Sequence, residues 1–183
     1  MNLRTRRLLA APALAVTLAV TLAGCGSLLD SVLGDTPEPA QRDEPGGEIT
    51  ASAEADVFSL QVGDCLNYLE TSEDASEFSS LPTVPCSELH DAEIYAETTL
   101  TEEQYQADLA LAESGDTETP THADQFCYDG FATFVGMSYE ESALDYSYLA
   151  PTEEGWAQGD DVVQCLVVHL DGGVTGTMRD SGL

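Results

Sequence analysis

Apolar and polar residues follow three regimes along the chain. Residues 8–23 are almost wholly Ala, Leu, Val and Thr. Residues 26–55 carry Pro37, Pro39, Pro45, Gly46 and Gly47 among scattered acids with no sustained period, the composition of a linker. All thirteen aromatic residues lie at or after Phe58, where the regular patterns begin. Phe58, Leu60 and Val62 alternate and predict a strand ending at Gly63-Asp64. Residues 92–98 predict a second strand. Thr101-x-x-Gln104 has the form of a capping box and opens a helix to about Ser114, followed by a breaker-rich acidic loop from Gly115 to Pro120. Thr121-x-x-Asp124 starts a second helix. Phe126, Cys127, Gly130, Phe131, Phe134 and Val135 share one of its faces, and Gly136 caps it. Leu144, Tyr146 and Tyr148 alternate as a further strand. Val162–Leu170 predicts a strand buried on both faces. Asp171-Gly172-Gly173 then turns the chain into a last strand through Val174 and Met178. The expected class is α+β: one small domain over residues 56–183, with a mostly antiparallel sheet and two helices.

The apolar run at the start changes where this domain is expected to work. Arg4, Arg6 and Arg7 precede it, and Leu22-Ala23-Gly24-Cys25 ends it. This is the layout of an export signal with a lipobox. The run carries Pro12 and is shorter than the roughly 20 apolar residues that a membrane-spanning helix needs. Residues 1–24 therefore read as a lipoprotein signal peptide, and Cys25 as the acylated (palmitate-bearing) N-terminus. Residues 25–55 read as the lipidated cysteine and a disordered acidic linker. The expected location is the extracytoplasmic face of the cell membrane, through lipid on Cys25.

Charge narrows the function classes. The chain has 5 Lys+Arg and 34 Asp+Glu. Three of the bases and none of the acids lie in residues 1–24, leaving Arg42 and Arg179 against 34 acids, a formal charge of −32. Such a surface excludes nucleic acid as a partner, because phosphate binding relies on many Lys and Arg contacts, and it lacks a polybasic patch for anionic lipids. With no lysine anywhere, Schiff-base and Ser-Lys mechanisms are ruled out. There is no Gly-x-Ser-x-Gly elbow, Walker A loop, His-Glu-x-x-His pair or calcium loop. No catalytic residue, metal or cofactor is assigned.

Beyond Cys25 there are four cysteines, Cys65, Cys86, Cys127 and Cys165, and an even number in an exported chain predicts two disulfides. Of three pairings, Cys65–Cys86 with Cys127–Cys165 is favoured. The first closes a short Ser/Glu/Pro-rich loop, and the second staples the Phe-rich helix to the most apolar strand.

Several short runs recur in a fixed order: Val62-Gly63-Asp64-Cys65, Val84-Pro85-Cys86-Ser87, His90-Asp91-Ala92-Glu93, Cys127 with Phe131, Pro151-Thr152, Trp156 with Gly159-Asp160, Cys165, and Thr175-Gly176-Thr177-Met178-Arg179. Together they resemble the septum formation family of actinobacterial envelope proteins and lipoproteins, over about residues 56–180. The chain departs from that pattern at Leu89, where the family usually has proline, and at Asp161, where a basic residue is common. The resemblance implies a role around cell division or envelope growth.

Two places carry candidate chemistry. His90 and Glu93, three apart, would share a metal if helical but face oppositely if they enter a strand. His90 beside a carboxylate is also a candidate general base, or it bonds to backbone and shapes the turn after a disulfide. Trp156, the only tryptophan, sits in an expected loop between Pro151-Thr152 and Gly159-Asp160. With Thr152 and Asp160 it would form a binding groove; alternatively it caps the core edge. The favoured function is a non-enzymatic interaction module in envelope or septum assembly, with an envelope or division protein as partner. The alternatives are an enzyme or accessory factor acting on cell-wall material through His90 and nearby acids, and a small solute- or cation-binding lipoprotein.

Overall fold

The computed structural model describes residues 37–72 and 77–183. The expected signal, Cys25 and the first part of the expected linker lie outside the described residues. Within them, the elements in chain order are β1 (Ala53–Asp56), β2 (Cys65–Leu66), α1 (Leu69–Ser72), β3 (Ser80–Val84), β4 (Ala92–Thr99), α2 (Glu102–Ser114), α3 (His122–Val135), β5 (Asp145–Leu149), α4 (Glu153–Ala157) and β6 (Val162–Val168). The strands pair antiparallel in one sheet, in the order β1-β3-β2-β4-β6-β5. The class is α+β, as the patterns predict. No helix among the described residues is long and apolar enough to cross a membrane.

β6 is buried from Val163 to Val168. Alternation along a strand sends successive side chains to opposite faces. Val163, Cys165 and Val167 enter a core beneath α3 with Cys127, Phe131 and Phe134. Leu166 and Val168 enter a second core with Leu60, Leu66, Leu81 and Ile94. β4 flanks β6 and changes parity partway, at a bulge between Ile94 and Ala96. Ile94 faces the second core, while Tyr95 and Ala96 both serve the first. The extra residue of a bulge shifts every later side chain to the other face. Glu97 therefore falls opposite Gln164, on the side away from α3.

The two longest helices, α2 and α3, begin as their local sequences predict. At α2, Gln104 N donates to Thr101 Oγ1 (3.3 Å) and Thr101 N donates to Gln104 Oε1 (2.9 Å), the two halves of a capping box. At α3, Asp124 N donates to Thr121 Oγ1 (3.0 Å), and Gly136, with φ of 82°, supplies the left-handed C-cap. The disulfides are Cys65–Cys86 and Cys127–Cys165, the favoured pairing, with partners 21 and 38 residues apart. In the chain-entropy picture such loops are worth about 3 and about 4 kcal/mol.

Three expectations are corrected. The strand expected over Phe58–Val62 is a turn. Asp56 ends β1 by accepting from Phe58 N (2.9 Å), and Val57–Ser59 wind into a 3-10 helix. Only Leu60 is buried; Phe58 and Val62 are 71% and 42% exposed. The expected C-terminal hairpin is also absent. Gly172 and Gly173 adopt φ of 119° and 84°, and the chain turns to pair Val174 with His90 (N to O, 3.0 and 2.8 Å) instead of returning along β6. A side chain at Gly173 would strike the His90 carbonyl, so glycine is required for this approach.

The third correction concerns residues 37–55, expected as linker but packed on the domain. Glu38 bridges Ala55, Arg42 bridges Ile49, and Ile49 is buried. The cause is a buried ion pair. Arg42 Nη1 donates to Asp64 Oδ1 (2.6 Å), its Nη2 donates to Asp64 Oδ2, and Nη1 also donates to Gly47 O (2.8 Å). The two side chains are 8% and 3% exposed. A two-pronged guanidinium–carboxylate contact is directional as well as attractive, so it gives this Pro- and Gly-rich segment one geometry.

Removing one partner of a buried pair leaves the other charge without compensation, at about 3–5 kcal/mol. Arg42→Ala should lose that much in urea unfolding, whereas Arg42→Met with Asp64→Leu should recover most of it. A loss under about 1 kcal/mol, the size of an exposed pair, would mean the segment is held by something else. A second prediction comes from the phenols beneath α3. Tyr95 donates to Cys127 O (2.5 Å) and Tyr146 to Asp124 Oδ1 (3.0 Å). Burial first, then neighbouring Tyr146 and Asp124, pushes Tyr95 above the usual phenol range; burial and then the bond to Asp124 do the same for Tyr146. Above about pH 10 the unfolded chain ionises these groups while the fold holds them neutral. Their stabilisation is thus complete below pH 10 and declines as pH rises further. Melting curves should show this alkaline limb, and Tyr95→Phe should flatten it.

Candidate binding cleft

The face of the sheet away from α3 is not fully covered. β6, β4 and β5 give it a floor of Gln164, Glu97 and Leu149, and the chain around the 3-10 turn gives it a wall of Val57, Phe58 and Leu60. Between them lies a cleft of about 440 Å³, within the range of ligand sites. Gln164 ties floor to wall: its Nε2 donates to the carbonyl of Leu60 (2.9 Å), which lets a polar side chain be buried without an unmet donor. Phe58, excluded from the core by the turn, stands at the cleft with most of its ring in water. Val162, at the start of β6, is 37% exposed on the same lining. Its ionisable lining comprises Glu77, Glu97, Asp160 and Tyr148, with no base.

Two of the four residues singled out for binding, Thr152 and Asp160, line this cleft. Both also shape the backbone at its end. Thr152 is the N-cap of α4, with Oγ1 accepting from Gly155 N (3.0 Å), and Asp160 Oδ1 accepts from Val162 N (3.2 Å). The segment expected as a loop is thus a short helix, and that helix turns Trp156 elsewhere. The indole stacks on Tyr105 of α2, with centroids 4.0 Å apart and planes 2° from parallel, and its Nε1 donates to Glu102 Oε2 (3.0 Å). Trp156 packs against the first core. The ring thus caps the edge of the first core and also lines a separate cavity of about 390 Å³ with Tyr105, Leu109 and Glu153.

His90 lies in neither place. It is 1% exposed, its Nδ1 bonds to the Glu88 carbonyl (2.9 Å) and must carry the proton to do so, and its Nε2 has no hydrogen-bond partner among the described residues. It sits just before β4 rather than in it, so the expectation that it and Glu93 point to opposite faces is corrected. A ring nitrogen of His90, a carboxylate oxygen of Glu93 and Cys65 Sγ lie within 4.8 Å of one another. That sulfur is bonded to Cys86 and is not a thiolate ligand. The Glu93 carboxylate accepts from Thr177 Oγ1 (2.7 and 3.0 Å) and Met178 N (2.6 Å), pinning the C-terminal segment to β4. This cluster therefore orders the turn after the first disulfide, the structural role open to His90 from the sequence.

Sequence reasoning missed Phe58 and Glu97 as cleft residues. Phe58 alternates with Leu60 and Val62 as strand residues do, and the parity of Glu97 depends on a bulge with no local signature.

The sequence profile of the family described as septum formation matches residues 62–181. No curated protein and no solved structure matches the chain.

Trp156→Ala should lower stability by about 2–3 kcal/mol, somewhat under the cost of emptying a fully buried aromatic site. It should leave any ligand affinity of the cleft within twofold. A fall in affinity without a fall in melting temperature would restore the groove reading for Trp156.

Proposed function

Because this chain belongs to the septum formation family, which ties it to cell division and the cell envelope, we propose that it is a lipid-anchored, extracytoplasmic interaction module in envelope or septum assembly, and that it is not an enzyme. Cys25 is the anchor in this reading, and an envelope or division protein is the partner. The observation that carries it is the cleft, an uncovered sheet face with an aromatic ring held in water at its wall. Exposed apolar surface set in a concave site is a feature of contact with other molecules. The lipid would keep a protein of this negative charge at an anionic membrane, which its own surface does not favour.

Two variants test this together in cross-linked envelopes. Cys25→Ala should appear in the medium, folded. Phe58→Ser in the anchored protein should lose the envelope proteins that the unaltered chain enriches, with no change in melting temperature. The reading fails if Phe58→Ser enriches the same set. It also fails if the purified protein cleaves wall fragments in a His90-dependent way, which would favour the enzyme alternative.

A further inference from the structure

The composition of the cleft indicates what kind of partner it takes, given the interaction reading above. We propose that it binds an extended protein segment in which a Lys or Arg side chain neighbours an apolar one. The lining offers the carboxylates of Glu97, Glu77 and Asp160. Among the described residues, neither the Glu97 nor the Glu77 carboxylate has a hydrogen-bonding or ion-pair partner, whereas Asp160 is partly occupied with Val162 N. Among the described residues, no base neutralises them. The chain has no lysine, Arg42 is bound to Asp64, and neither Arg42 nor Arg179 lines the cleft.

The apolar half of the site is equally specific. Phe58 and Val162 expose apolar surface on the same lining as these acids, and Leu149 belongs to that lining too. A cation over an aromatic face gains from the ring quadrupole, and a carboxylate on the same lining attracts it separately. Arg is a frequent anchor of protein interfaces for related reasons. Tyr148 and Leu149, at the C-terminal end of β5, also line the cleft, and β5 is one of the two edge strands of the sheet. The strong negative field of the domain would speed the encounter with a cationic segment. That field draws any cation, so the test must separate it from the cleft.

The experiment uses the full chain in detergent and three fluorescent nine-residue peptides. One alternates Lys with Leu and Phe, one has Glu in place of Lys, and one has Ser in place of Leu and Phe. Anisotropy should show the first binding at least about tenfold more tightly than the third, with no measurable binding of the second; tenfold is about 1.4 kcal/mol. Glu97→Gln and Phe58→Ser should each weaken the first peptide about fivefold or more. Glu118→Gln removes the same charge from an exposed loop residue outside the cleft and should change it less than twofold. If Glu118→Gln weakens binding as much as Glu97→Gln, only the general field is at work and the proposal is overturned. If the Glu peptide binds as well as the Lys peptide, in a Phe58-dependent way, the cationic chemistry is wrong while the cleft remains an interaction site. If Phe58→Ser alters neither peptide binding nor envelope capture, both this proposal and the interaction reading fall.

Discussion

One constraint organises the domain: a seven-residue strand, Val162–Val168, must be covered on both faces. α3 covers one face, and the Cys127–Cys165 disulfide holds it there. The other face needs Leu66, Leu81 and Ile94 from neighbouring strands and Leu60 from the turn after β1. That second cover reaches Val168 but stops short of the N-terminal end of β6. Gln164 sits where the cover ends and bonds to the Leu60 carbonyl, and beyond it the sheet face is open. The cleft is the part of the strand's surface that the domain does not use for its own core.

The second cover depends in turn on the ion pair. Arg42 draws residues 37–50 onto the domain and holds Asp64, which also accepts from Gln61 N (2.8 Å). Through these bonds the chain leading from the N-terminus and the wall of the cleft share one support. In a chain with so few bases, a buried guanidinium is a costly choice unless its partner is fixed. Asp64 is fixed in this way, between Gly63 and the disulfide-bonded Cys65.

The acidity of the chain takes on a sharper meaning with the fold in view. Most of the acids are solvated and carry no positional information. Glu93 differs because it is buried and holds the C-terminal segment through Thr177 and Met178. Glu97, four residues later on the same strand, differs in the opposite sense: it faces a concavity with no partner described. The bulge after Ile94 lies between them.

Read alone, the sequence determined what depends on near neighbours. The capping box at Thr101, the cap at Thr121, the apolar face of α3 and the double burial of β6 all follow from spacings of a few residues or from element types; for the four cysteines the sequence favoured one of three pairings, and the structure selects it. The landmarks of the septum formation family were legible for the same reason. Only the tertiary structure decided the rest. Arg42 and Asp64 are 22 positions apart, Glu93 and Thr177 84, and Leu60 and Gln164 104. No periodicity links such pairs. Phe58 alternates like a strand residue and lies in a turn, because Asp56 captures its N–H. Glu97 faces the cleft because a bulge changes the parity of β4. Local energetics selects the elements. The face each side chain presents follows from how those elements pack, and that is how the cleft arises.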